Sequence, residues 1–189
     1  MFMKKGTIVG LVVAFIIILL SVFVISNYNS MKVSAENVNT KSGDIDVYLQ
    51  RRADLIPNLV NTVKGYVQHE EKVISDITTA RENLVNAKSM SEKADANQEL
   101  SNAINALMVV VENYPDLKAN TNFINLQDEL AGTENRISTA RRDYNDAVKS
   151  YNSLIIKFPN NILASMFKFE KAEYFKADEG KTEVPNVEF

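Results

Sequence analysis

The histidine and cysteine content limits the chemistry of this chain. The sequence has one histidine, His69, and no cysteine. The missing cysteine excludes thiolate metal sites, iron–sulfur clusters, disulfides, cysteine nucleophiles and a lipidated cysteine. A di-iron bundle needs a glutamate three residues before a histidine on each of two helices, and Tyr66 stands at that offset here. Haem ligation by His69 is formally open, but a single histidine followed by Glu70 and Glu71 is more typical of a surface group, so we expect no cofactor and no metal.

The common catalytic motifs are also missing from the sequence. It contains no G-x-S-x-G, no glycine-rich phosphate loop and no second histidine to activate a nucleophile. We therefore expect the protein not to be an enzyme.

Polar residues inside an apolar heptad pattern are more informative. Arg52 and Glu70 occupy positions where the pattern calls for apolar side chains, and a buried charge is costly unless it is paired. The predicted partners on the third helix are Glu134, Arg136 and Arg141. Two interpretations are open: a buried ion-pair layer that sets the helix register, or a polar groove that receives a partner. The candidate seam or partner-contact residues are Arg51, Arg52, Asp54, Asn58, Glu70, Glu134, Asn135, Arg136 and Arg141.

An aromatic stretch near the C-terminus is the other candidate surface. It consists of Phe167, Phe169, Tyr174 and Phe175, among lysines and a glutamate. It could cap the open end of a helical bundle, bind a partner or touch a membrane surface. The balance of acids and bases favours the cap.

The elements that position these residues begin with an apolar run. Residues 6–26 carry no charge, and at 1.5 Å per residue they span about 30 Å, the thickness of a bilayer core. A cleaved signal peptide is the alternative, but its apolar core is normally shorter, and the small residues that suit cleavage come too late, at Val33-Ser34-Ala35. We expect an uncleaved anchor that contacts the lipid bilayer.

The orientation of this anchor follows from the charges at its ends. Lys4 and Lys5 precede the run, so the positive-inside bias predicts a cytoplasmic N-terminus and an extracytoplasmic body. Gly6 and Gly10 have the spacing that lets membrane helices approach, which leaves a homo-oligomer open, although their place at the edge of the span favours chance.

Long helices are predicted for the rest of the chain. One seam runs unbroken from Tyr28 to Ala87 and predicts a single helix continuous with the anchor, kinked or, alternatively, broken at Pro57. Ser89 and Glu92 predict the start of a second helix, which Pro115 stops.

A third and a fourth helix follow. Thr121 or Asn122 is predicted to cap the third helix, Pro159 to end it, and Asn160 or Asn161 to cap a short fourth helix. The predicted organisation is a cytoplasmic N-terminus (1–5), a transmembrane helix (6–26), a stalk (27–43), a helical bundle (44–179) and an extended tail (180–189).

The charge balance excludes one class of partner. Subtracting Lys4 and Lys5 from the 21 basic residues leaves 19 against 24 acidic residues, and no basic cluster appears in the sequence. A mildly acidic body does not suit phosphate backbones, so we expect no nucleic acid partner.

Three stretches of the sequence resemble the LemA family. They are residues 44–70 (DIDVYLQRRADLIPNLVNTVKGYVQHE), 111–152 (with ENYPDLKAN, GTENRI and YND) and 158–167 (FPNNILASMF). The resemblance implies a bacterial membrane protein with one N-terminal span, an antiparallel up-and-down four-helix bundle and no established catalytic activity. One departure is visible, because Lys41, Ser42 and Gly43 stand where many members carry a tryptophan.

The function expected from these features is binding. We expect an all-α, membrane-anchored envelope scaffold or binding module whose polar seam or aromatic stretch holds a protein partner. A sensory or ligand-binding domain is the first alternative, since a helix shift can cross a membrane. An enzyme or metal carrier is the second.

Overall fold

The chain folds into helices. The computed structural model describes residues 5–67 and 69–176, and this part contains no strand, so the predicted all-α class is confirmed. The helices are α1 (Lys5–Lys64), α2 (Glu71–Asn86), α3 (Met90–Val111), α4 (Pro115–Lys118), α5 (Thr121–Ile156) and α6 (Asn160–Met166). The predicted tail over residues 180–189, and residues 1–4 of the predicted cytoplasmic N-terminus, lie outside the described residues.

The first part of α1 is an uncovered apolar helix. Apart from the half-buried Val24, the side chains of residues 6–26 are exposed. This part of α1 is long and apolar enough to cross a membrane. A continuous apolar surface of that size is unfavourable in water and suits the interior of a bilayer.

The end of α1 differs from the sequence prediction. The heptad seam predicts one helix up to the next cap, whereas α1 continues through Pro57, ends at Lys64, and is separated from α2 by residues 65–70. The last turn closes on the Val63 carbonyl, which accepts the amide of Tyr66 at 2.9 Å. The predicted continuity of the anchor with the first helix of the body is confirmed, because α1 covers both. The predicted extension of this helix to Ala87 and the alternative break at Pro57 are wrong, because a heptad seam can continue in phase across a helix end. The kink at Pro57 stays a prediction.

A side chain from α2 explains how α1 accommodates Pro57. Proline has no N–H, so the carbonyl of Ala53, four residues earlier, loses its helical donor. Ala53 is only 1% exposed, so water does not reach it freely. The Nε of Arg81 donates to this carbonyl at 2.9 Å. Arg81 thus replaces the hydrogen bond that Pro57 cannot make.

The predicted start of α3 is confirmed. Ser89 Oγ accepts the amide of Glu92 at 3.1 Å, and Glu92 Oε2 accepts the amides of Ser89 at 3.1 Å and Lys88 at 2.7 Å. This is a capping box, which satisfies otherwise unpaired amides of the first turn. The hydrogen bonds from these two amides lower the pKa of the Glu92 carboxyl.

The predicted caps of the last two helices are wrong by one or two residues. At α5 the cap is Asn120, whose Oδ1 accepts the amide of Phe123 at 3.1 Å. At α6 the preceding residue is Pro159, which offers no side-chain hydrogen bond, and Asn160 lies inside the helix. Neighbouring asparagines are equivalent in sequence, and backbone geometry alone selects which one faces the first turn.

The other two prolines lie at helix boundaries. α3 ends at Val111, and Pro115 is the first residue of α4. α5 ends at Ile156, before Pro159, whose peptide bond with Phe158 is cis.

The chain forms two compact units. Among the described residues, the first contains 5–40 and 147–172, and the second contains 41–67, 69–146 and 173–176. α1 and α5 contribute residues to both. The predicted stalk (27–43) and bundle (44–179) boundaries stay predictions.

Ion pairs in the second unit give the relative direction of α1 and α5. Lys41 Nζ lies 3.8 Å from Asp143, and Arg51 Nη2 lies 2.6 Å from Glu129. The α5 partner moves toward the N-terminus as α1 advances. These parts of α1 and α5 are therefore antiparallel.

α3 takes the same direction as α1 in this unit. Lys93 Nζ contacts Asp46 at 2.6 Å, and Asn97 Oδ1 accepts from Arg52 at 2.5 Å, so both partners advance together. The fully buried apolar residues of this unit include Ile45, Ile56, Leu59, Val63, Ile77, Leu100, Leu107, Leu117, Phe123 and Ile137.

Candidate functional site

Arg52 is the most buried charge among the described residues of the second unit. Its side chain is 5% exposed, and Nη1 lies 2.6 Å from Glu134 Oε2 on α5. The same nitrogen donates to Asn97 Oδ1 at 2.5 Å, to Ser101 Oγ at 3.0 Å and to the Asn97 carbonyl at 3.4 Å, all on α3. Glu134 is one of the partners that the sequence predicts. Arg52 therefore cross-links α1, α3 and α5.

The electrostatics of this cluster favour a structural ion pair. Burial lowers the pKa of the Arg52 guanidinium, and the carboxylate of Glu134 opposes that effect. The guanidinium stays protonated near neutral pH because its intrinsic pKa is so high. Within the described residues, Glu134 Oε2 makes no hydrogen bond, so its 2.6 Å contact with Arg52 Nη1 is an ion pair without hydrogen-bond geometry. Arg52 Nε also has no hydrogen-bond partner among these residues.

A polar groove of about 480 Å³ lies between α1 and α5 in this unit. We call it the α1–α5 groove, and its lining residues are Arg51, Asn125, Asp128, Glu129, Gly132, Thr133 and Arg136. The Arg51–Glu129 ion pair, at 2.6 Å, crosses it. A second depression of about 420 Å³, lined partly by Asn58, Asn61 and Asn122, shares Asn125 and Glu129 with it. Together they form one continuous polar surface.

The chemistry of the α1–α5 groove suits a polar macromolecular surface. Its walls offer guanidinium groups, carboxylates and side-chain amides, which bind by charge and hydrogen bonding. Small-molecule sites are usually concave and mostly apolar, whereas the rims of protein interfaces are polar and open. The groove resembles the second kind of surface.

The remaining seam candidates on α1 and α5 are exposed. Asp54 accepts from the side chain of Gln50 at 2.8 Å. Asn135 and Arg141 face solvent. Arg136 lines the α1–α5 groove, and Asn58 lines the second depression beside it.

The seam position predicted for Glu70 is wrong. Glu70 immediately precedes α2, is half-buried, and accepts from the Tyr114 hydroxyl at 3.4 Å. The error follows from the end of α1 at Lys64, since a heptad position has no meaning outside a helix.

The sequence interpretation missed Tyr151 and Asn152, a tyrosine–asparagine pair in the first unit. Asn152 Nδ2 donates to the Ala172 carbonyl and its Oδ1 accepts the Ala172 amide, both at 2.9 Å. The Tyr151 hydroxyl donates to the Glu170 carbonyl at 2.8 Å. The pair therefore binds the main chain of residues 170–172, a segment without regular secondary structure.

A second pair, Tyr144 and Asn145, makes the same contacts in the second unit. Tyr144 donates to the Glu173 carbonyl at 2.8 Å, and Asn145 exchanges two hydrogen bonds with the main chain of Phe175, at 2.9 and 3.1 Å. Burial raises the pKa of Tyr144. The Tyr-Asn dipeptide recurring after seven residues is the sequence signal that could have revealed both clamps.

The aromatic residues predicted to form a cap belong to different units. In the second unit Phe175 is 2% exposed and Tyr174 is 36% exposed. In the first unit Phe167 and Phe169 pack against Tyr28, with ring centroids 4.9 and 5.7 Å away.

The described residues show no grouping suited to a metal ion, taking three or more His, Cys, Asp or Glu side chains as the criterion. His69 is exposed.

Comparison with known proteins gives the family. The sequence model of the LemA family matches residues 41–189. The chain belongs to the LemA family. Together with the apolar first part of α1, this makes it a membrane-associated helical protein.

Individual relatives of this LemA-family chain span much of its length. Magnetosome proteins MamQ 1 and MamQ 2 of Paramagnetospirillum magneticum are each 30% identical to it over 191 residues, which covers 87% of this chain and 68% of theirs. Protein LemA of Metamycoplasma hominis is 26% identical over 152 residues, covering 80% of this chain and 69% of its own length. None of these names states an enzymatic reaction.

Proposed function

We propose that this LemA-family chain is a single-pass membrane protein of the bacterial cell envelope that acts as a scaffold by binding a protein partner. Its N-terminus is cytoplasmic, its body is extracytoplasmic, and the body is an antiparallel up-and-down four-helix bundle. Its work is contact rather than catalysis.

The observation that carries this proposal is the α1–α5 groove. It presents charged and amide side chains on two rigid helices, and rigid elements hold binding groups more accurately than loops do. The buried Arg52 cluster beneath it fixes the relative register of α1 and α5. A partner with complementary charges would meet a preformed surface and lose little conformational entropy on binding.

The bundle and the membrane role have separate support. α1 is antiparallel to α5 and parallel to α3 in the second unit, which is the pattern of an up-and-down bundle. The magnetosome names of two relatives associate those proteins with a membrane-bounded compartment, which agrees with a membrane role here.

A matched pair of glycines allows a sharp test of groove binding. Gly132 lines the groove and Gly43 does not, and at both positions an added Cβ atom meets no other atom within 4 Å. A photo-crosslinking amino acid placed at either position in the full chain is activated in intact cells. We expect a discrete adduct from position 132 that is absent from position 43.

Two further measurements decide the outcome. The adduct should weaken strongly in Arg136→Glu, because this reverses one exposed charge of the groove without touching the core. Identical adduct patterns from positions 132 and 43, or an adduct indifferent to Arg136→Glu, contradict groove binding. Protease added to whole cells should digest the body, and a body protected until lysis reverses the orientation.

A further inference from the structure

α6 exposes two of its three large apolar residues and buries the third. Ile162 and Met166 lie four residues apart on one face of the helix, with 58% and 61% exposure. Phe158 just before the helix is 81% exposed, and Phe167 just after it is 41% exposed. The opposite face buries Leu163 at 7% exposure and the small Ala164 at 4%. We call Phe158, Ile162, Met166 and Phe167 the α6 apolar patch.

The position of this patch relative to the apolar span is fixed by ring contacts within the first unit. Tyr28 lies two residues beyond residue 26, the end of the span, which is about 3 Å along the helix axis. The Phe167 ring meets the Tyr28 ring edge to face at 4.9 Å, and the Phe169 ring meets it at 5.7 Å. Phe167, at the C-terminal end of the patch, therefore lies near the level where the span ends, the depth at which tyrosines gather in membrane proteins.

Lysines flank the patch along the chain, and another lysine lies near its ring contact with Tyr28. Lys32 Nζ lies 5.4 Å from the centre of the Phe169 ring and 5.9 Å from that of Tyr28. The segment from 157 to 171 adds three exposed lysines and one glutamate, namely Lys157, Lys168, Lys171 and Glu170. Lysines beside exposed aliphatic and aromatic residues characterise helices that lie in the interface of an anionic bilayer.

We propose that the α6 apolar patch inserts into the membrane interface and gives the protein a second bilayer contact besides its span. This rests on the proposed single-pass anchoring. The bilayer is the favoured occupant because the patch is continuous with the end of the span through Tyr28 and carries a basic border. α6 then lies against the headgroups and fixes the tilt and rotation of the first unit.

The sequence has no cysteine, so each single-cysteine variant carries its label at one known position. Three variants of the full chain, Leu19→Cys, Ile162→Cys and Asn39→Cys, receive the same environment-sensitive fluorophore. All three native side chains are exposed, and residue 39 lies thirteen residues beyond residue 26, about 20 Å further along α1. The proteins are inserted into vesicles of phosphatidylethanolamine and phosphatidylglycerol. Quenchers are aqueous iodide and lipids with a nitroxide at the headgroup or deep in the acyl chain.

The expected pattern has three depths. The label at position 19 is quenched best by the deep nitroxide and the label at 162 best by the headgroup nitroxide, while the label at 39 is quenched by iodide alone. Iodide quenching at position 162 should be several-fold weaker than at position 39. Replacing phosphatidylglycerol with phosphatidylcholine should reduce the nitroxide quenching at position 162.

Each other pattern refutes a distinct idea. A deep label at position 19 with a label at 162 as iodide-accessible as that at 39 overturns the interfacial contact and leaves the anchor intact. A label at 162 shielded from iodide and from both nitroxides shows a protein surface or a second copy over the patch, which also overturns the proposal. An iodide-accessible label at position 19 overturns the anchor itself, and with it the proposed function.

Discussion

The Arg81 contact with α1 makes a quantitative prediction about Pro57. Arg81→Met keeps much of the side-chain volume but removes the Nε that donates to the Ala53 carbonyl at 2.9 Å. In the wild-type background this carbonyl is left buried without a donor, since Pro57 supplies none. In a Pro57→Ala background the same substitution leaves the carbonyl bonded to the backbone amide that alanine restores at position 57.

The magnitude follows from the cost of an unsatisfied buried carbonyl. Orphaning such a group costs about 1–3 kcal/mol, whereas an exchange of donors costs little. Arg81→Met should therefore lower the free energy of unfolding by about 2 kcal/mol in the wild type and by about 0.5 kcal/mol in Pro57→Ala. The coupling energy is then about 1.5 kcal/mol, or about a tenfold change in the folding equilibrium.

The assay is urea unfolding of the full chain in mild detergent, followed by circular dichroism at the helix band. Arg142→Met is the matched control, since Arg142 is exposed and its contact with Thr139, at 3.5 Å, lies at the limit of a hydrogen bond. This control should change stability by less than about 0.5 kcal/mol. If Arg81→Met lowers the free energy of unfolding equally in the two backgrounds, Arg81 does not replace the amide that Pro57 lacks.

Other contacts give further expectations, each measured by unfolding of the full chain. Arg52→Met should lower the free energy of unfolding by about 3 kcal/mol, because it removes the cation from its buried partners. Glu134→Gln should lower it clearly less, since glutamine keeps an acceptor, and equal decreases for the two variants contradict the buried cluster. Asn152→Ala removes two hydrogen bonds to the main chain of Ala172 and should lower the free energy of unfolding by about 2 kcal/mol. It should also make residues 170–172 accessible to protease, so an unchanged digestion pattern contradicts the clamp. Lys168 has a φ of 57°, in the left-handed region, so Lys168→Gly should raise stability by up to about 1 kcal/mol and Lys168→Val should lower it; the reverse order contradicts the strain. Burial raises the pKa of Tyr144, so the folded state keeps the phenol proton longer than the unfolded chain does. The contribution of Tyr144 to the free energy of unfolding is complete below the unfolded-state pKa of about 10 and is lost as the pH rises through the folded-state pKa. Tyr144→Phe should therefore make the decline of stability at alkaline pH less steep.

Features that depend on neighbours along the chain could be predicted from the sequence. The capping box of Ser89 and Glu92 needs only two residues three positions apart, and the apolar run of residues 6–26 needs only composition and length. The helical class follows from periodicity for the same reason. Arg52 could also be identified, because a charge in an apolar seam demands a partner, and Glu134 was among the few charges at a suitable place.

Features that depend on which segments meet were decided by the tertiary structure. The heptad pattern continues past residue 64 although α1 ends there, because periodicity records the buried face and not the backbone hydrogen bonds. Arg81 looks like any surface arginine until α2 packs beside Ala53. The Tyr-Asn clamps bind main-chain atoms, which every residue has. The side chains of the bound segment therefore give no sequence signal for these contacts.

The sequence by itself thus determined the helical class, the apolar span and the charge that had to be buried, since each follows from local spacing and the free energy of transfer from water. Only the tertiary structure decided which side chain donates to the Ala53 carbonyl, which side chains bind the main chain of residues 170–172, and that the α6 apolar patch is exposed. These three depend on contacts between residues far apart in sequence, and their geometry exists only once the helices have packed.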